Sequence, residues 1–256
     1  MKKFYPLFLI LFALWFIASC DSKSEPIDSS QTMPVSTAPT AASPTQEVPT
    51  FSAAPTISVS PNPIVSSTQA IDAAQALVER GRAASNNYNR DAFGSAWKDM
   101  DRNGCDTRND ILGRDFSTAI YKAGTNECKV IGGTWIDPYS NWSYTFTEQP
   151  SGAQIDHVVA LNNAWEMGAD LWTNQRREEF ANDPLNLLVT IASLNAQKSD
   201  SNAASWLPPY KPGRCAFIAR QVAVKAKWEL YVTSSEKVAM VSVLSKPECS
   251  ETKLPN

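Results

Sequence analysis

Between residues 21 and 68 the chain carries eight prolines, many Ser and Thr, no glycine and one aromatic residue, Phe51. Proline fixes φ and removes a backbone donor. Such a stretch has too little apolar surface to offset the entropy of ordering it. It reads as an extended tether, so any fold is confined to the residues beyond it. Seven of the eight Trp lie past the tether, in residues 69–256. That length suits one domain with a sizeable core, and no internal repeat is visible.

The tether is preceded by Lys2 and Lys3 and then by an uncharged run over 4–18. The run is shorter than the roughly 20 apolar residues of a membrane span. A charged start, a short apolar run and small residues before a cleavage point read as a secretory signal over 1–20. Its end, Ile17-Ala18-Ser19-Cys20, resembles a lipobox, in which the Cys becomes the lipidated first residue of the mature chain. The expectation is an exported, extracytoplasmic domain anchored to a membrane through Cys20. An ordinary signal peptide or an uncleaved anchor is the alternative.

With Cys20 set aside, Cys105, Cys128, Cys215 and Cys249 remain. An even number in an exported chain signals disulfides. Three pairings exist; Cys105–Cys128 and Cys215–Cys249 close the shortest loops and are favoured. Zinc fits poorly, because there is no C-x-x-C and only one His to complete a ligand set. The formal charge of −3 argues against a broad basic surface for nucleic acid. A cluster of Arg214, Arg220, Lys225 and Lys227 beside Trp228 is read as a solvated helix face, as are Arg176 and Arg177.

Along the folded part, Ile71, Ala74, Leu77 and Val78 have helical spacing. A helix is expected around Ile111 and Leu112. Residues 129–147, with Gly132-Gly133 and Asp137-Pro138, suggest short strands and tight turns. Residues 155–161 and 185–190 are strand candidates, and Thr173 can cap a helix reaching Phe180. Residues 191–204 and 215–232 look helical, the first stopping before Pro208-Pro209. The expected fold is α+β, mostly helical, in a single domain with two disulfides.

The only histidine, His157, stands in QIDHVVAL directly after Asp156. A second strand beginning at Asn186 and a helix carrying Asn195 come after it. The order of strand, strand and helix, with Asp-His, Asn and Asn on them, resembles the ββα-metal core of HNH (His-Me finger) endonucleases. NGCDTRNDIL, GGTWIDPYS, FANDPLNLL, KSD, WLPP and CAFIARQVAVKAKW narrow the resemblance to secreted bacterial proteins similar to the C-terminal domain of GmrSD restriction endonucleases. It covers roughly 70–250. It implies that His157 is the general base, that Asp156 and Asn195 bind a divalent cation, and that Asn186 holds the histidine-bearing loop. Many members have His where this chain has Asn195. An amide oxygen there favours Mg²⁺, or a similar ion such as Mn²⁺, over Zn²⁺.

The residue types suit phosphodiester hydrolysis. A neutral imidazole can take a proton from water, and a hard cation can stabilise the phosphate and the leaving oxygen. Adjacent strand residues face opposite sides, so Asp156 and His157 converge only if the strand ends or bends there. The resemblance further implies nucleic acid as the partner, DNA before RNA, little sequence readout, and 5′-phosphate and 3′-hydroxyl products. No protein partner is evident, and a monomer is expected. Arg108 and Lys198 are candidate contacts to the nucleic-acid backbone. The rival readings are a catalytically inactive surface-binding lipoprotein on the same fold, and a calcium-stabilised module using the EF-hand-like stretch from Asp99 to Asp110.

Overall fold

The Ala-rich start of the folded part forms helix α1, Ala70–Ala76, in this computed structural model, which describes residues 69–146 and 152–255. Cys20, the 1–20 leader and the tether over 21–68 lie outside the described residues. Ala70, Ala74 and Leu77 are buried in a core shared with helices α6, Arg214–Lys227, and α7, Ser234–Leu244. The disulfide Cys215–Cys249 ties the start of α6 to the chain beyond α7.

Helix α2, Thr107–Asp115, begins where the Asp106 side chain accepts a hydrogen bond from the Asn109 amide at 2.9 Å. The disulfide Cys105–Cys128 closes beside it. An antiparallel sheet comes next, in the order β1 (Ile120–Tyr121), β2 (Val130–Ile136), β3 (Ser143–Phe146). Trp135 of β2 is buried and stacks with Phe116, Tyr144 and Phe146. Gly133, inside β2, is required where that strand passes the chain leaving α2. Its φ is +152°, and a Cβ there would collide with the Phe116 ring.

The second sheet has two antiparallel strands, β4 (Ala153–His157) and β5 (Leu187–Ile191). Its register pairs Ile155 with Val189 and His157 with Leu187. Helices α3, Leu161–Glu166, and α4, Asn174–Ala181, lie between these strands in sequence. Thr173 caps α4 by accepting from the Arg176 amide at 3.2 Å. Helix α5, Ala192–Lys198, succeeds β5 directly. The strand–strand–helix order expected from the sequence is therefore present, and the domain is α+β.

Several expectations change. Arg220 and Lys225 do not lie on a solvated helix face: Lys225 is buried against Glu236, and Arg220 donates to the carbonyls of Pro184, Leu185 and Leu187. The helix expected over 215–232 ends at Lys227, and the strand expected over 155–161 ends at His157. The helix expected over 191–204 ends at Lys198, because Ser199 adopts the left-handed φ of 50°. Arg177 does not lie on a solvated face: it is buried, and its guanidinium donates to the carbonyls of Ala92, Ala169 and Trp172. Among the described residues no helix is long and apolar enough to cross a membrane.

Candidate functional site

Strand β4 ends at His157 and the backbone bends at Val158 and Val159, where the Val158 amide still donates to the Asn186 carbonyl at 2.8 Å. The turn brings Asp156 and His157, otherwise on opposite faces, to the wall of one cavity of about 330 Å³. Ile155, Asn195, Asp200, Asn162, Tyr88 and Arg90 also line it. Both Asp156 and His157 are nearly closed to solvent, at 4% and 7% exposure.

Asp156 is held at both oxygens. Lys198 Nζ donates to Oδ1 at 2.9 Å and to the His157 carbonyl at 2.7 Å. The Tyr139 hydroxyl donates to Oδ2 at 2.6 Å. Burial raises the Asp156 carboxyl above its ordinary value, while Lys198 and Tyr139 pull it the other way. Tyr139 is positioned by Asp137, which lies in the turn between β2 and β3 and has no exposed surface. Asp137 Oδ1 accepts from the Tyr139 and Ser140 amides, and its Oδ2 accepts from Thr190 Oγ1 and the Ile191 amide. One carboxylate thus fastens the first sheet to β5 and sets the phenol over Asp156.

His157 Nε2 lies 2.8 Å from the Ala181 carbonyl. A carbonyl only accepts, so Nε2 carries the proton and Nδ1 keeps its lone pair. Burial pushes the imidazole pKa down to about 3, and the charges of Arg90 and Lys198 push the same way. The ring is therefore neutral at ordinary pH, in one tautomer. Its face stacks on Trp97, with centroids 6.0 Å apart and planes 14° apart. Trp97 itself has a φ of 61°, rare for a bulky residue. The loop is held there by the Lys98 amide, which donates to Asn182 Oδ1 at 3.1 Å.

The two asparagines differ. Asn186 has no exposed surface; its side chain accepts from the Val159 amide at 2.8 Å and donates to the Val159 carbonyl at 3.2 Å. It clamps the backbone just beyond His157. Arg114 and Arg220 each donate to the carbonyls of both Pro184 and Leu187, which fixes the segment carrying Asn186. Among the described residues Asn195 makes one side-chain hydrogen bond, from its Nδ2 to Gln154 Oε1 at 2.9 Å. Its own oxygen remains available as an acceptor on the cavity.

The oxygens around the cavity suit a hard cation. Each Asp156 oxygen accepts one hydrogen bond and retains a lone pair. Asn162 Oδ1 is buried on the same cavity with no hydrogen-bond partner among the described residues. Among the described residues no three His, Cys, Asp or Glu side chains form a metal-binding group. A cation here would rest on one carboxylate, amide oxygens and water, a set that fits Mg²⁺.

The sequence pointed to Asp156, His157, Asn186 and Asn195 as one group, and the structure gathers these four around the end of β4. Arg108 does not line the cavity; it donates to the Ala153 carbonyl at 3.2 Å. Lys198 has no exposed surface and is occupied by Asp156 and the His157 carbonyl. Tyr139 and Asp200 stand inside motifs already singled out, in DPYS and KSD, but nothing local marks them as site residues. Tyr88, Arg90 and Trp97 come from a segment without a motif, and only the fold brings them to His157.

Residues 106–243 match the family described as GmrSD restriction endonucleases, C-terminal domain. An uncharacterized secreted protein of Arthroderma benhamiae is 36% identical over 171 residues, which span 66% of this chain and 80% of that protein. No solved structure matches the chain.

Proposed function

We propose, from a chain that belongs to the GmrSD restriction endonuclease C-terminal domain family, that this protein is a metal-dependent endonuclease hydrolysing phosphodiester bonds, with DNA as substrate and little sequence readout. The observation that carries the reading is the histidine. It is neutral, its Nε2–H is held by the Ala181 carbonyl, and its Nδ1 is left as the lone-pair nitrogen of a ring that lines the same cavity as Asp156 and Asn195. That is the protonation state a general base needs.

His157 Nδ1 would take a proton from the attacking water. The Ala181 carbonyl and the Trp97 face would keep the ring from turning as it becomes charged. Asn186 would hold the backbone behind it. Asp156 and Asn195 would bind the cation, Mg²⁺ or Mn²⁺. When bound, such a cation supplies charge stabilisation to the phosphate and to the leaving oxygen. Lys198 and Tyr139 would fix the Asp156 carboxylate at one angle.

Location accords with the same reading. Two disulfides suit an oxidising compartment, and the A. benhamiae protein carries the word secreted in its description. We place the domain outside the cytoplasm, tethered through lipid on Cys20, acting as a monomer. A binding protein on the same fold is the second reading. It is favoured by one observation, that both oxygens of Asp156 already have protein partners.

The test is cleavage of plasmid DNA and of RNA with Mg²⁺ and with EDTA, by wild type and His157→Ala. The expected result is Mg²⁺-dependent cleavage that falls roughly 10²–10⁴-fold in the variant, the usual worth of a positioned base. The same assay run against pH should show no loss of activity near 6.5, the ordinary imidazole value, because the folded ring is already neutral well below it. A folded wild type inert towards both nucleic acids with Mg²⁺ would favour the binding reading.

A further inference from the structure

The cavity beside His157 has a cation that neither the sequence motifs nor the matched family segment contains. Arg90 lies at the start of a short 3₁₀ segment, Arg90–Phe93, outside the 106–243 match. It lines the cavity that holds Asp156, His157 and Asn195, and also a smaller one of about 40 Å³ against Trp97 and Ala181 on the other side of His157. Resting on the nuclease reading, we propose that Arg90 is a substrate-binding residue whose guanidinium grips the non-bridging oxygens of the scissile phosphate.

Three observations support this. The backbone under Arg90 is anchored. Asn89 Oδ1 accepts from the Asp91 amide at 2.9 Å, Arg177 Nε donates to the Ala92 carbonyl at 3.0 Å, and Phe93 is buried against Phe180. Gly94, at φ +80°, allows the segment to press on α4, where a Cβ would meet the Glu178 side chain at 2.8 Å. Secondly, the side chain is exposed and makes no ion pair among the described residues; its side-chain partner is the Tyr88 hydroxyl on the same cavity. Other arginines are occupied: Arg82 by Glu166, Arg114 by Asp115, Arg176 by Glu229, and Arg108, Arg177 and Arg220 by backbone carbonyls. Thirdly, the two basic residues expected to reach phosphate are engaged, Arg108 by the Ala153 carbonyl and Lys198 by Asp156, whose charge it balances, while Asp200 adds a further carboxylate to the cavity wall. A dianionic phosphodiester transition state needs a positive group on that wall besides the cation. A planar guanidinium can meet two phosphate oxygens at once.

The proposal also assigns a role to the segment before the matched family domain. Residues 88–97 supply Tyr88, Arg90 and Trp97 to the site. Tyr88 and Arg90 line the cavity together with residues of β4, α3 and α5, and Trp97 backs the His157 ring.

The experiment uses the full chain as wild type, Arg90→Ala, Arg90→Lys and His157→Ala, with plasmid DNA and Mg²⁺, at low and high salt, and with thermal midpoints on the same samples. Arg90→Ala should lose about 10²–10³-fold in kcat/KM, the usual worth of one preorganised transition-state contact. Arg90→Lys should recover only a minor part, since charge returns without the fork. Midpoints should not move, and the loss should persist at high salt. Arg90→Ala cleaving like wild type while His157→Ala is inactive would overturn the assignment and leave the nuclease reading standing. A defect that disappears at high salt would overturn it too, since it would reveal mere long-range attraction of DNA. A wild type without cleavage would remove the nuclease reading, and this assignment with it.

Discussion

Lys198 and Lys225 are two fully buried lysines, each 3.0 Å or less from a buried carboxylate: Lys198 from Asp156 at 2.9 Å, Lys225 from Glu236 at 3.0 Å. Their surroundings set them apart. The Lys225 pair is sealed between α6 and α7, with Asn163 Oδ1 and the Tyr231 carbonyl as further acceptors. Neither Glu236 oxygen has a well-directed hydrogen bond, and burial lowers the Lys225 pKa. The Lys198 pair opens on a cavity, and its carboxylate has a second donor in Tyr139. A sealed pair can only hold the core together. A pair on a cavity can exchange partners, so its carboxylate can serve a ligand.

The largest expected effect comes from breaking the sealed pair. Lys225→Met leaves Glu236 charged with no partner and no route to water. Removing one member of a buried pair costs about 3–5 kcal/mol. Denaturant unfolding should report that loss, with cleavage per folded molecule unchanged. A variant of unchanged stability would show that the sealed pair does not hold the core together, and the contrast between the two pairs would collapse.

Lys198→Met should cost less, about 1–3 kcal/mol, the range for a buried group that loses one partner. Asp156 keeps Tyr139, and water in the cavity can replace the ammonium. The sharper readout is linkage. Mg²⁺ should raise the thermal midpoint of Lys198→Met more than that of wild type, because the released carboxylate binds the ion more strongly. It should leave the Lys225→Met deficit in place. Equal Mg²⁺ responses in all three proteins would sink the idea that one pair is exchangeable.

The same two lysines mark how far the sequence can be read. Sequence alone places both on the surface, since Lys is seldom fully buried. What overrides that prior is a partner far along the chain: Asp156 is 42 residues from Lys198, and Asn163 is 62 residues from Lys225. The strand–strand–helix core is legible because Asp156-His157, the apolar run before Thr190 and the segment bearing Asn195 each carry their signal locally. Disulfide pairing is legible through loop length alone. The wall made by Arg90 and Trp97 is not, because its segment has no periodicity and reaches His157 through tertiary contacts with α3 and α4. Helix α7 had no forecast either, though Thr233 caps it by accepting from the Glu236 amide at 3.2 Å.

The smallest effect tests the feature that distinguishes the cavity pair, its second donor. Tyr139→Phe removes one hydroxyl and leaves the ring packed between Trp206 and Phe217, at 5.1 and 5.4 Å. A hydrogen bond to a charged group contributes about 1.5–3 kcal/mol, but the lost phenol is replaceable by water on the cavity side. The expected stability loss therefore falls below that range, to about 1 kcal/mol, the net worth of an ordinary hydrogen bond. Activity should respond differently from stability. With one oxygen free, the carboxylate can rotate about Lys198, and a cation bound there would be held at a less defined angle. Mg²⁺ titration of cleavage should show a higher requirement, with the maximal rate largely regained at saturation. Lys225→Met should show no change in that titration. If Tyr139→Phe lowers the maximal rate without moving the Mg²⁺ requirement, the phenol acts on the reacting phosphate rather than on Asp156. If it changes neither, Lys198 alone is enough to fix the carboxylate, and the difference between the two pairs reduces to the presence of the cavity.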